Sequence, residues 1–237
     1  MNDDFHYQAD DLDAMAGAVN YTRWILSRFQ PYLCGRVCEV GAGMGALSGH
    51  ILDEPGVTGL TICEPSANLH ARLVERFAAD QRVVVHHSVL AQAMTDSPGF
   101  DAVIYDNVLE HIEDDAAEVA TVVEALNPGG HLLVLVPALS WLYSDFDASI
   151  GHHRRYHRPQ LRSLLDGAGL EVVDLRYMDM PGVLPWYVSM VLMKGGLNPG
   201  AVKLYDRVGI PVARALESLL PPPFGKNLLA VARKPGT

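Results

Sequence analysis

The feature that most constrains the fold is a short passage near the start of the chain. Arg36-Val37-Cys38-Glu39-Val40 leads straight into Gly41-Ala42-Gly43-Met44-Gly45, and a helix-forming segment follows. An apolar, β-branched run that enters a helix through spaced glycines predicts a strand–loop–helix unit. The glycines allow a tight turn and close approach of backbone to a ligand. The helix N-terminus beyond them presents unpaired N–H groups to a polar or anionic group. Further on, short apolar runs alternate with amphipathic segments. That alternation predicts an α/β fold, a parallel sheet covered by helices on both faces.

A first helix is expected from about Leu12 to Phe29, stopping before Pro31. Strands are expected at Arg36–Val40, Gly59–Cys63, Val83–Val85, Ala102–Tyr105, His131–Val136, Leu170–Arg176 and Leu228–Ala232. Pro128-Gly129-Gly130 is expected to turn the chain into the fifth of these. The stretch from Met178 to Pro223 is interrupted by Pro and Gly and is expected to be mostly helical, as a lid or surface element. The 237 residues then form a single domain: a helical N-terminal cap (1–35), a core (36–137), and a substrate loop, lid and last strands (138–237).

Composition excludes several classes. The formal net charge is −10, and no long basic run offsets it, so nucleic acid is not an expected partner. Cys34, Cys38 and Cys63 lack metal-ligand spacing, so neither a disulfide framework nor a metal site is expected. The acidic N-terminus has no apolar leader, and the expected location is cytoplasmic.

Taken alone, the glycine loop is ambiguous. Gly41-x-Gly43-x-x-Ala46, with Glu64 about twenty residues on, also fits a dinucleotide fingerprint. A nicotinamide-dependent oxidoreductase is therefore an alternative, and a binding scaffold without turnover is another. Three features separate the readings: Glu39 inside the strand end, the third glycine Gly45, and Asp106-Asn107-Val108-Leu109-Glu110-His111-Ile112-Glu113-Asp114 after the fourth strand. At these residues the chain resembles the class I S-adenosylmethionine-dependent methyltransferases. The resemblance implies a Rossmann-like seven-stranded, mostly parallel sheet with an antiparallel last strand. It also implies S-adenosyl-L-methionine as cofactor and S-adenosyl-L-homocysteine as product.

The resemblance implies roles for particular residues. Gly41, Ala42, Gly43 and Gly45 face the methionine part of the donor, and Glu39 fixes that loop. Glu64 and Pro65 stand at the ribose, with the acceptor-only carboxylate suited to two vicinal hydroxyls. Many family members carry Asp after the third strand; this chain offers Ser88 and Val89 for the adenine. Asn107 and Val108 line the sulfonium side, and Tyr21 in the first helix joins the donor site.

Past the core, Gly151-His152-His153-Arg154-Arg155-Tyr156 and Leu220-Pro221-Pro222-Pro223-Phe224-Gly225 resemble a bacterial subgroup of small-molecule methyltransferases that often occur with glycosyltransferase-like proteins. The subgroup carries an aromatic residue where His153 stands. His152 and His111 are candidates to take a proton from the acceptor. Arg154, Arg155, Tyr156 and His153 are candidates to hold an anionic or partly apolar acceptor. The competing reading of this basic cluster is a solvated face, or arginines neutralised by Asp145 and Asp147. The apolar run Val183–Leu192 reads as a lid packed on the core, with a hydrophobic substrate channel or a membrane-surface patch as its alternative.

Overall fold

The computed structural model describes residues 17–94, 99–196 and 198–236. Helix α1 (Val19–Phe29) buries Tyr21, Trp24, Ile25 and Phe29 along one face; the start of the expected helix, residues 12–16, lies outside the described residues. Strand β1 (Gly35–Val40) and helix α2 (Ala46–Leu52) flank the glycine loop, so the strand–loop–helix expectation holds. Then come β2 (Val57–Cys63), α3 (Ala67–Phe77), β3 (Val83–His86), β4 (Phe100–Asp106), α4 (Asp115–Ala125) and β5 (Leu126–Pro137). Helix α5 (Arg158–Gly167), β6 (Glu171–Met178), a helical layer over 183–219 and β7 (Asn227–Arg233) complete the chain.

The seven strands form one sheet in the order β3-β2-β1-β4-β5-β7-β6. Strand β7 runs antiparallel to both β5 and β6, and the other neighbouring pairs are parallel. Side chains alternate between two cores, as a pleated sheet covered on both faces requires. Val103, Tyr105, Leu132, Val134 and Val136 enter one core with α4 and α5; Ala102, Ile104, Leu133 and Leu135 enter the other with α1 and α2.

One boundary differs from expectation. Strand β5 begins at Leu126 rather than His131, because Leu126 pairs with Phe100 before the Pro-Gly-Gly passage. His131 then pairs with Ala102, so residues 127–130 bulge out of the ladder, with Gly129 at φ +81° supplying the bend. The turn residues thus act inside the strand.

Candidate active site

The sheet reverses its winding between β1 and β4, and in open α/β sheets a ligand crevice forms at the carboxyl ends of the strands at that point. Gly41 follows β1, Glu64 follows β2, Ser88 lies just beyond β3, and Asn107 follows β4. The glycine loop is held open by its backbone: Gly41, Gly43 and Gly45 have φ of +67°, +57° and +72°. Two of them also make room for neighbouring side chains. A Cβ on Gly41 would lie 2.6 Å from the Val108 side chain, and one on Gly45 would lie 2.8 Å from Leu73. Those two glycines admit the protein's own packing.

Glu64 is buried, and its carboxylate accepts from Gly43 N–H at 3.0 Å and from Ser66 N–H at 2.9 Å. It therefore ties the β2 end to the glycine loop and to the start of α3 at once, with lone pairs left for a further donor. Burial raises its pKa, against the pull of those two bonds. Glu39 is more deeply enclosed; burial pushes it up to about 8, although Ser48 donates a hydrogen bond to it. The Ser88 hydroxyl is buried with no hydrogen-bond partner among the described residues, so it is a polar atom awaiting one. Asn107 sits at φ +54°, a left-handed conformation that Asn tolerates, and its side-chain amide donates to Asp106 at 2.8 Å. Burial raises Asp106 to about 6. Tyr21 is buried beneath the Lys226 ammonium, which lies 5.4 Å from its ring centroid; burial first, then Asp179 and Asp106, raise its hydroxyl pKa.

The Gly151–Tyr156 segment returns against the end of β5. Ala138 and Tyr156 form a parallel bridge, with Tyr156 N–H donating to Pro137 O and Leu139 N–H to Tyr156 O. On its other side, His153 N–H donates to Glu110 O. This position gives several of these residues protein partners. Arg154 donates to the carbonyls of Ile112 and Glu113 and pairs with Asp115 at 2.7 Å. Arg155 is buried, paired with Asp147 at 2.7 Å and stacked 4.8 Å from the Trp186 ring centroid. Tyr156 is enclosed in the core with its hydroxyl donating to Asp115 at 2.7 Å. These three hold the loop to the sheet, and their polar groups are committed to protein partners. His153 is exposed, and its backbone N–H is the group bonded to Glu110 O. Of the neutralising partners, Asp147 takes Arg155, while Asp145 meets Lys194 at 3.2 Å.

The same segment brings His152 to a buried acidic pair. Its Nδ1 lies 3.0 Å from Asp147 Oδ1, and its Nε2 lies 3.7 Å from Glu110 Oε1. Asp147 is fixed further by Ser144, which donates from both its backbone N–H and its hydroxyl. Burial opposes ionisation of Asp147, but the His152 hydrogen bond and the Arg155 charge hold its pKa below the ordinary range. As an ionised acceptor, Asp147 orients Nδ1–H toward itself and leaves Nε2 with the lone pair. Glu110 is fully buried, neither oxygen has a hydrogen-bond partner among the described residues, and burial pushes it up to about 8. The His111 ring lies edge-on to His152 with centroids 4.6 Å apart; burial, then His152, lower its pKa to about 4. Ligand-type atoms of Glu110, His111 and His152 lie within 4.8 Å of one another.

A methyltransferase-domain family model matches residues 9–175, well over half the chain. The chain belongs to the methyltransferase-domain family. It is 32% identical over 142 residues to a protein of Mycolicibacterium smegmatis described as a probable S-adenosylmethionine-dependent methyltransferase, covering 58% of this chain and 52% of that one. It is 33% identical over 102 residues to a ubiquinone biosynthesis O-methyltransferase of Alkalilimnicola ehrlichii, covering 41% of this chain and 40% of that one. The chain thus spans about half, or less, of the length of the curated relatives it matches. Its fold is shared with phosphoethanolamine N-methyltransferase 2 of Haemonchus contortus, solved with S-adenosyl-L-methionine. That match has a TM-score of 0.62 at 20% identity and covers 91% of this chain and 52% of that one.

S-adenosylmethionine is the family's cofactor, and the crevice fits it. Glu64 suits a ribose diol, the unpartnered Ser88 hydroxyl suits a base edge, and the glycine loop adjoins buried Glu39. Residue-by-residue reading did not single out Asp147, Glu110 or Asp106 as parts of a site. Glu110 and Asp106 stood inside the quoted motif after β4, but Asp147 had only its charge as a signal. Its place beside His152 depends on a turn of helix, Asp145–Ser149, and on the returning loop.

Proposed function

We propose that the chain transfers a methyl group from S-adenosylmethionine to a small-molecule acceptor. The observation that carries this reading is Glu64, a buried strand-end carboxylate hydrogen-bonded to the glycine loop at 3.0 Å. When bound, the cofactor supplies a methyl group already activated on a sulfonium. The chain's own task is then alignment and exclusion of water. Glu64 and Gly43 hold the donor's polar parts, Asn107 and Val108 border the reacting side, and Tyr21 and Ser88 close two flanks. His152 and His111 face the acceptor as the catalytic residues, and Nε2 of His152 is the atom free to accept a proton. Asp147 is a positioning residue that acts through Nδ1 of His152.

The acceptor is partly apolar. A groove of about 830 Å³ lined by Leu139, Trp141, Val183, Leu184, Tyr187 and Phe224 lies beside the returning loop. The likeness to a ubiquinone biosynthesis O-methyltransferase supports an acceptor of that character. The likeness of the Gly151–Tyr156 segment to a subgroup found with glycosyltransferase-like proteins supports a place in glycan-related or secondary metabolism.

The test is incubation of the purified chain with methyl-labelled S-adenosylmethionine and a panel of hydroxyl- and amine-bearing acceptors that have an apolar part. Label transfer that is lost in His152→Ala, with S-adenosylhomocysteine affinity kept, is the expected result. No binding of S-adenosylhomocysteine by the folded chain would overturn the reading.

A further inference from the structure

The helical layer after β6 carries an apolar face that is exposed among the described residues. Pro199–Leu204, Tyr205–Gly209 and Ile210–Leu219 run as one helical stretch, α at both ends with a π turn between. Its inner side is built into the protein. Ile210 and Ala213 are buried in the core, Asp206 accepts from the N–H of Asn20 and Tyr21, and Glu217 accepts from Met180 N–H. Its outer side shows a second stripe at four-residue spacing: Leu204, Val208, Val212 and Leu216, continued by Leu219. These side chains are 50–79% exposed. In the preceding helical segment, Leu184, Leu192 and Met193 are similarly exposed, at 61–74%.

Charge indicates what covers this face. The chain carries −10 overall, yet the exposed charges of the 199–219 stretch are Lys203, Arg207 and Arg214. Its two acids, Asp206 and Glu217, are buried on the inner side. An apolar stripe flanked only by cations matches a helix that lies in the headgroup boundary of an anionic bilayer. A second copy docked face to face would bring like charges together. Among the described residues, no helix is long and apolar enough to cross a membrane, so the fit is to the surface and not the interior.

We propose that the outer face of residues 199–219 seats on an anionic lipid surface, with Leu204, Val208, Val212, Leu216 and Leu219 at the acyl boundary and Lys203, Arg207 and Arg214 on the headgroups. The proposal stands on this face alone and does not depend on the methyl-transfer reading.

The test is co-sedimentation of the full chain with phosphatidylcholine vesicles and with vesicles that also contain phosphatidylglycerol. Binding is expected to the charged vesicles, to weaken with added salt, and to fall about five-fold for each cation removed in Lys203→Gln and Arg207→Gln. Leu216→Asp with Leu219→Asp is expected to lower it at least ten-fold. Circular dichroism and S-adenosylhomocysteine binding check that these variants are folded; both positions are exposed, so both signals should be kept. Absent binding to charged vesicles would overturn the proposal. So would equal binding to both vesicle types, or a dimer in sedimentation velocity that Leu216→Asp dissociates.

Discussion

Glu64 locks the glycine loop to the start of α3, and the proposed function gives the same carboxylate the ribose. Glu64→Ala is expected to weaken S-adenosylhomocysteine binding about ten- to a hundred-fold, the loss of hydrogen bonds to a charged acceptor worth about 1.5–3 kcal/mol. Calorimetry reads this directly, and an unchanged dissociation constant would remove Glu64 from the site. Asp147 offers a different kind of test, since it touches His152, Arg155 and Ser144. Asp147→Asn keeps the shape but removes the charge that orients Nδ1–H. Turnover is expected to fall about ten- to a thousand-fold with donor affinity kept, and the pH profile of turnover should shift. If turnover falls only through a lower melting temperature, with an unshifted profile, Asp147 is a structural residue.

Elements are coupled here through buried acids at helix ends and turns. Asp206 accepts from the first free N–H groups of α1, binding the N-terminal helix to the C-terminal layer. Asp206→Ala leaves those donors unpaired and is expected to cost about 1–2 kcal/mol, readable by urea denaturation. Glu217 makes a similar link to the turn after β6, where it meets Met180 N–H at 2.8 Å. Burial raises its pKa from 4.5 to about 7. A carboxyl whose folded pKa is raised favours folding fully below its unfolded pKa, and that contribution is lost as pH rises through about 7. Glu217→Gln is therefore expected to flatten the fall in melting temperature between about pH 4.5 and 7. An unchanged slope would show that Glu217 is ionised in the folded protein.

At the scale of the whole molecule, a ligand that binds only the folded chain raises its stability by mass action. At a hundred-fold excess over its dissociation constant, S-adenosylhomocysteine is expected to add about 2.7 kcal/mol. For a chain of this size that is a rise of roughly 5–10 °C in melting temperature. NAD at matched concentration is expected to give none, and the reverse ranking in a thermal-shift experiment would favour the oxidoreductase alternative left open by the glycine loop.

The sequence by itself determined the sheet and the placing of the glycine loop and Glu64 at its strand ends. Periodicity-2 apolar runs, glycines at a strand–helix junction and an acid at the next strand's end are local signals, because each residue's duty is set by its own strand position. The sense of Arg154, Arg155 and Tyr156 was not local. Their motif reads as charge offered to a ligand, and only the fold shows that the loop returns between Pro137–Leu139 and Glu110–Glu113, where Asp147, Asp115 and backbone carbonyls partner these three side chains. The same holds for Glu110, an ordinary acid in a motif until the fold buries it against His152 without a hydrogen bond. Gly41 and Gly45 were legible as glycines, yet what their missing side chains make room for, Val108 and Leu73, was decided by contacts 67 and 28 residues away (108 − 41 and 73 − 45). Spacing along the chain fixes which backbone a residue belongs to; which partner its side chain meets is a long-range fact, and tertiary structure alone supplies it.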